Sequence, residues 1–241
     1  MGCGCVGPSK DKYSIENILI EKIQEPKDII SNYAITEYVK RVFNLINRIR
    51  SNPPDFVSVI ETAEKYIKDI NGRKIFDDNK IKVSLNEGKT MFQDCANYLK
   101  NLQPMEELNF CDDIVLECPK DEQNIKDINY FKDRVLEKKE KFGIEAYFKD
   151  SIRIPEISVL LMLVDDSAKN PRRKRETLLN PKYKFIGISS SDIINSDKEG
   201  QKNNNDLNDE NKINNEGGNN NIERIIRSEL NKPFCAYFAL K

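Results

Sequence analysis

The stretch Ile157-Ser158-Val159-Leu160-Leu161-Met162-Leu163-Val164 sets the strongest limit on what this chain can fold into. It is apolar all round rather than along one stripe, so a helix made from it must be covered on every side. Pro155 suits the first turn of such a helix, because its fixed φ is already helical and its missing N–H has no partner to lose there. Asp165-Asp166 marks the far end. A bilayer span needs about 20 apolar residues, and this run, the longest in the chain, is far shorter. The expectation is a central core helix with the remaining elements packed round it.

Apolar spacing predicts those elements. Ile35, Val39, Val42, Ile46 and Ile49 recur at the three-to-four spacing of an amphipathic helix, which Ser51-Asn52-Pro53-Pro54 should end. Phe56, Val59, Ile60, Ala63, Tyr66 and Ile67 predict a second helix, stopped by Asn71-Gly72. Met91, Phe92, Cys95, Tyr98 and Leu99 give another helical stripe, and 109–117 is expected to begin a fourth helix. The charged stretch 121–143 carries Phe131, Val135 and Phe142. Two strands are expected late in the chain, at 184–188 and 234–240. Between them, from about 191 to 221, runs a tract of Asn, Asp, Lys, Glu and Gly, too polar to build a core and expected to be a disordered loop. The resulting division is an arm over 1–33, with a short helical patch at 15–20, and a folded domain over 34–241 interrupted by that insert.

Composition narrows the chemistry. With Lys+Arg 39 and Asp+Glu 40 the net charge is 39 − 40 = −1, which lacks the basic surplus that nucleic-acid binding by counterion release requires. The chain has no histidine. Ser-His-Asp and Cys-His hydrolases are therefore excluded, as are His-ligated zinc and non-haem iron centres. An enzyme would have to work with carboxylates, Lys, Tyr or Cys. Cys95, Cys111, Cys118 and Cys235 are expected as reduced thiols on apolar faces, since no secretory signal is visible.

The start of the chain reads as an address. In Met1-Gly2-Cys3-Gly4-Cys5-Val6, removal of Met1 exposes Gly2 for myristoylation, with Cys3 and Cys5 beside it as palmitoylation sites. One myristoyl chain gives only a marginal partition constant of roughly 10⁴ M⁻¹, so a second acyl group is the physical complement. Val6 stands where the common pattern has Ser or Thr, and Lys10 and Lys12 are too few for a polybasic signal. The competing reading is an unmodified start with two free thiols or a Cys-x-Cys metal ligand pair.

Other motifs carry less. Gly88-Lys89-Thr90 has the ending of a phosphate-binding loop, but the glycine required five residues earlier is Val83. Asp206 and Asn208 have the spacing of a calcium loop without its turn glycine. Arg172-Arg173-Lys174-Arg175 reads either as a nuclear-localisation cluster or as a solvated turn between core helix and strand, the second being favoured.

Taken with the elements around it, Lys174-Arg175-Glu176-Thr177-Leu178-Leu179-Asn180-Pro181, followed by Tyr183-Lys184 and Ile186-Gly187-Ile188, resembles the signature block of the CAP superfamily, which comprises cysteine-rich secretory, antigen 5 and pathogenesis-related proteins. Asn47-Arg48-Ile49-Arg50-Ser51-Asn52-Pro53 is similar to the end of that family's first helix. Glu87-Gly88, Phe142-Gly143, Leu163-Val164-Asp165-Asp166 and Cys235-Ala236-Tyr237-Phe238-Ala239 follow in family order. The resemblance implies an α+β fold, a three-layer α/β/α sandwich with a small antiparallel sheet. It also implies a cleft that in typical members holds a divalent metal on two His and two Glu. Here Lys174 stands where the signature has His, and no Gly-Glu-Asn counterpart is found near Ser151-Ile152-Arg153.

What remains of the cleft would be Lys174, Arg175, Asp165 and Asp166, with no catalytic residue, metal or cofactor. The expected function is a non-catalytic CAP-like domain, tethered to a cytosolic membrane face through Gly2, Cys3 and Cys5. It would serve as a lipid- or protein-interaction module with no nucleic-acid partner. Two alternatives stay open: a hydrolase using a Cys or Lys nucleophile without His, and a soluble intracellular scaffold with an unmodified start.

Overall fold

The structure, a computed structural model, describes residues 14–22, 26–78, 80–166, 170–191 and 233–241. Gly2, Cys3 and Cys5 and nearly all of the Asn-rich tract lie outside the described residues.

The core forms around α7 (Pro155–Val164), where Pro155 occupies the first turn and every residue except Leu161 is buried. Each large aliphatic side chain buried there contributes roughly 1.5–3 kcal/mol. Helix α2 (Glu37–Ser51) packs along it and also meets α1 (Ile15–Lys22). The Thr36 hydroxyl caps α2 by accepting from Val39 N at 3.2 Å, and the helix stops where Pro53-Pro54 can supply no amide hydrogen. A 3₁₀ turn (Pro53–Phe56) then leads into α3 (Val57–Glu64), which packs on α4 (Lys89–Asn101). The segment read as an arm takes part in this core: Ile15 and Leu19 are 0% and 2% exposed. Farther along it, Ser31 Oγ and Asn32 N donate to the Asp112 carboxylate at 2.5 and 2.7 Å.

The structure departs from the expected helix after α3. Tyr66-Ile67 does not extend it; the chain turns instead into an antiparallel sheet of β1 (Ile67–Ile70), β2 (Arg73–Asp77) and β3 (Lys82–Leu85). Asn71-Gly72, expected as a helix stop, is a two-residue hairpin loop with φ of 53° and 74°. Asn and Gly tolerate that left-handed backbone, and its twist matches the strands it joins. Phe76 of β2 is fully buried and stacks on Phe92 of α4 at 6.1 Å.

A second sheet joins β4 (Asn109–Phe110), β5 (Ala146–Asp150), β6 (Phe185–Ser190) and β7 (Ala236–Leu240) in the order β4-β6-β7-β5. It is mixed rather than wholly antiparallel, since β4 runs parallel to β6. The helix expected over 109–117 is absent because its backbone is used by the sheet: Asn109 N donates to Lys184 O at 2.8 Å and Cys111 N to Ile186 O at 2.9 Å. A 3₁₀ turn follows (Asp112–Ile114). It presses so closely on β6 that a Cβ at Gly187 would sit 2.7 Å from the Ile114 carbonyl, so glycine alone fits.

Residues of β7 alternate between two cores, as strand geometry requires. Ala236, Phe238 and Leu240 enter the main one with α2, α4 and α7. Cys235, Tyr237 and Ala239 enter a smaller one with α5 (Glu122–Lys126) and α6 (Ile128–Phe142), where the Phe131 ring lies 4.6 Å from that of Tyr237. The fold is α+β, with helices on both faces of the four-stranded sheet.

Arg50, at the end of α2, is 0% exposed. Its guanidinium donates to the carbonyls of Glu106 (2.9 Å), Leu178 (2.7 Å), Asn180 (3.1 Å) and Tyr183 (3.2 Å). Burial pulls its pKa down to about 10, which still leaves it charged at neutral pH. Asn47, one turn earlier, exchanges two hydrogen bonds with the Leu108 backbone at 3.0 and 2.8 Å. The two residues rivet loop 178–183 and segment 105–108 to α2.

Candidate binding cleft

A cleft of about 200 Å³ opens between β3, the end of β5 and the end of α7. Val83, Leu85, Ile152, Leu161 and Val164 supply apolar lining, while Asp150, Asp165, Asp166 and Lys174 form its polar part. Helix α8 (Arg173–Leu178) brings Lys174 there.

Lys174 Nζ donates to Asp150 Oδ1 at 3.1 Å and lies 5.8 Å from the centre of the Phe148 ring. Asp150, at the end of β5, is 8% exposed. Its other oxygen accepts from Ser158 Oγ at 2.8 Å and Ile152 N at 3.1 Å. Ser158 in turn accepts from Tyr38 OH at 2.9 Å, which extends the chain of hydrogen bonds from the cleft into the core. A carboxylate this buried is costly without donors, and here three groups share that role.

Asp165 ends α7 in the left-handed conformation (φ 47°) and accepts from Lys174 N at 2.6 Å. Burial pushes its carboxyl up, and the Lys174 amide and ammonium only partly offset this. Asp166 faces the start of α4: it accepts from the backbone N–H of Asn86 (3.0 Å), Glu87 (3.0 Å) and Gly88 (2.8 Å). The sequence that ends like a phosphate loop thus holds an anion, but one from its own chain.

Arg175 corrects the expected cleft. Adjacent residues on a helix point about 100° apart, and Arg175 is not among the residues lining the cleft. It is 1% exposed, donates to Asp94 Oδ2 at 2.5 Å and lies 4.9 Å over the Tyr98 ring. Arg172 joins it on Asp94 at 3.0 and 3.3 Å. Burial tends to raise the Asp94 carboxyl, but the two arginines outweigh it and hold it below the usual carboxylate range. The basic cluster is therefore part of a helix with one buried member, rather than a solvated turn.

Sequence reading missed Asp150 and Ser158. Asp150 closes an edge strand whose residues are mostly half-buried, so no apolar alternation announces it. Ser158 was hidden inside the apolar run that defines α7.

A divalent metal does not fit this cleft. The Lys174 ammonium lies on the Asp150 carboxylate, and a second cation there would meet repulsion from the first. Among the described residues no group of three or more Cys, Asp or Glu is placed to hold a metal ion. Cys95, a candidate nucleophile, is fully buried near Arg175, and burial drives its thiol up to about 11. Among the described residues no helix is long and apolar enough to cross a membrane. Comparison with family models, curated proteins and solved structures finds no match to this chain.

Proposed function

We propose that this chain is a non-catalytic binding module of CAP-like architecture, held at a cytosolic membrane face by acyl groups on Gly2, Cys3 and Cys5. The observation that carries the reading is the Lys174–Asp150 ion pair in the cleft. General acid–base or nucleophilic chemistry needs a group with a free lone pair or a transferable proton within reach of substrate. Asp150 and Asp166 each accept from three internal donors, Asp165 accepts from one, and Lys174 is engaged by Asp150. Such a cleft is built to stay in one state, which suits recognition better than turnover.

Three features support the CAP-like part. A mixed sheet carries helices on both faces, the signature-like loop 178–183 is gripped by Arg50 from the end of α2, and Gly187 meets the crossing backbone of the 3₁₀ turn. The apolar lining of the cleft suits a lipid chain or an apolar side chain of a protein partner. Anchoring rests on the amino-terminal residues, where dual acylation supplies the two signals that stable membrane residence requires.

The test is fractionation of cells that carry out N-myristoylation. The wild-type chain should sediment with membranes, and Gly2→Ala should move it to the soluble fraction. An unchanged distribution on Gly2→Ala would favour the unmodified scaffold instead.

A further inference from the structure

We infer that Cys118 and Cys235 are an oxidation site, closing to an intramolecular disulfide when the protein meets a hydroperoxide. Cys235 leads into the central strand β7 and is fully buried, whereas Cys118 is partly exposed in the segment between the 3₁₀ turn and α5. The two side chains enter the same small core on the outer face of the sheet. Cys118 Sγ lies 3.6 Å from the carbonyl oxygen of Cys235 and 3.6 Å from that of Ser189. The first of these contacts brings the Cys118 sulfur to the residue that carries the second thiol.

Their surroundings divide the labour between them. The Cys118 S–H donor favours a thiolate at Cys235 against the cost of burial, and Lys149 and Ser191 add to it. Burial pushes the Cys118 thiol up. The Tyr237 hydroxyl, which lies against Cys235, has no other hydrogen-bond partner among the described residues. Cys118 is the less buried residue and so the one an oxidant reaches, slowly because burial disfavours its thiolate, and Cys235 is the better resolving nucleophile.

The chemistry balances with the hydroperoxide as oxidant. Cys118 Sγ attacks the terminal peroxide oxygen, the O–O bond breaks, and the alcohol (water, for hydrogen peroxide) leaves with the thiol proton. Cys235 Sγ then attacks the Cys118 sulfenic sulfur, the S–O bond breaks, and hydroxide leaves, taking the second thiol proton as water. Two thiols and one hydroperoxide give one disulfide, one alcohol and one water. The new bond ties the segment before α5 to the strand at the centre of the sheet.

The experiment treats the full chain, in a Cys3→Ser/Cys5→Ser background, with hydrogen peroxide. Intact mass and non-reducing peptide maps are then read before and after dithiothreitol. The expected result is loss of two hydrogens, a Cys118–Cys235 cross-linked peptide, and full reversal by the reductant. Cys118→Ser and, separately, Cys235→Ala should abolish the cross-link, while Cys95→Ser and Cys111→Ser should leave it. The inference is overturned by a cross-link from Cys111, by a dimer, by Cys118 sulfinic acid beside free Cys235, or by both thiols remaining alkylatable after unfolding.

Discussion

The two faces of β7 divide the molecule into unlike halves. Ala236, Phe238 and Leu240 look into a large core of hydrocarbon, where Phe238 stacks on Phe148 at 4.7 Å and meets residues from several helices. Cys235, Tyr237 and Ala239 look into a small core covered by α5, α6 and the segment between the 3₁₀ turn and α5, which holds two cysteines, Cys118 with its sulfur 3.6 Å from the Cys235 carbonyl, and a hydroxyl without an oxygen or nitrogen partner. The inner face has the packing that resists change. The outer face is smaller and carries the cysteine pair and the tyrosine hydroxyl.

Phe238→Ala should break the comparison if it is mistaken. Deleting a large aromatic from a close-packed core costs about 3–5 kcal/mol, and urea unfolding should show that loss; a cost under 1 kcal/mol would mean that the inner face does not dominate. Asp166→Ala removes a carboxylate from three backbone donors at the start of α4. The expected cost is about 1.5–3 kcal/mol, the range for hydrogen bonds to a charged group. It should lower stability without changing the Cys118–Cys235 reaction.

Asp94→Asn comes next. Because its arginine partners hold the folded carboxyl below the unfolded value, the unfolded chain binds more protons as the medium is acidified. The stabilisation is present above the ordinary carboxylate pKa of about 3.9 and is lost as pH falls from there through the folded value. Thermal melts should therefore show a deficit in the variant at neutral pH that narrows in acid, and that exceeds the roughly 1 kcal/mol of a fully exposed pair, because the Arg175 guanidinium is buried although Asp94 is about a third exposed. A gap that widens in acid would reverse the assignment. Tyr237→Phe should have the smallest effect, within about 1 kcal/mol, since the hydroxyl it removes is buried with only a thiol beside it. A large loss would reveal an essential polar contact on the outer face.

How much of this was legible in the sequence depended on whether the signal was local. Helix α7 was legible because an all-apolar run bounded by Pro155 and Asp165 has few other uses, and α2 because its stripe and its Pro53-Pro54 stop agree. Asn71-Gly72 was ambiguous: the pair serves equally as a helix end and as a hairpin turn, and only pairing between β1 and β2 decides. Strands β4 and β5 were invisible, one being two residues long and the other an edge of half-buried residues. Within the cleft, Lys174 was found through the signature-like block, and Asp165 and Asp166 through the Leu163-Val164-Asp165-Asp166 match. Asp150 was not, because its meaning comes from Lys174, brought to it by tertiary structure. Arg175 was misplaced because a basic run looks solvated until Asp94 and Tyr98 are folded over it.

Whether this is a lipid-tethered domain turns on the covalent state of its first residues, which intact-mass spectrometry of the protein purified from its native host reads directly. The account predicts a chain without Met1 that carries one myristoyl group and at least one palmitoyl group, the latter released by hydroxylamine. A mass equal to that of the bare polypeptide would contradict it.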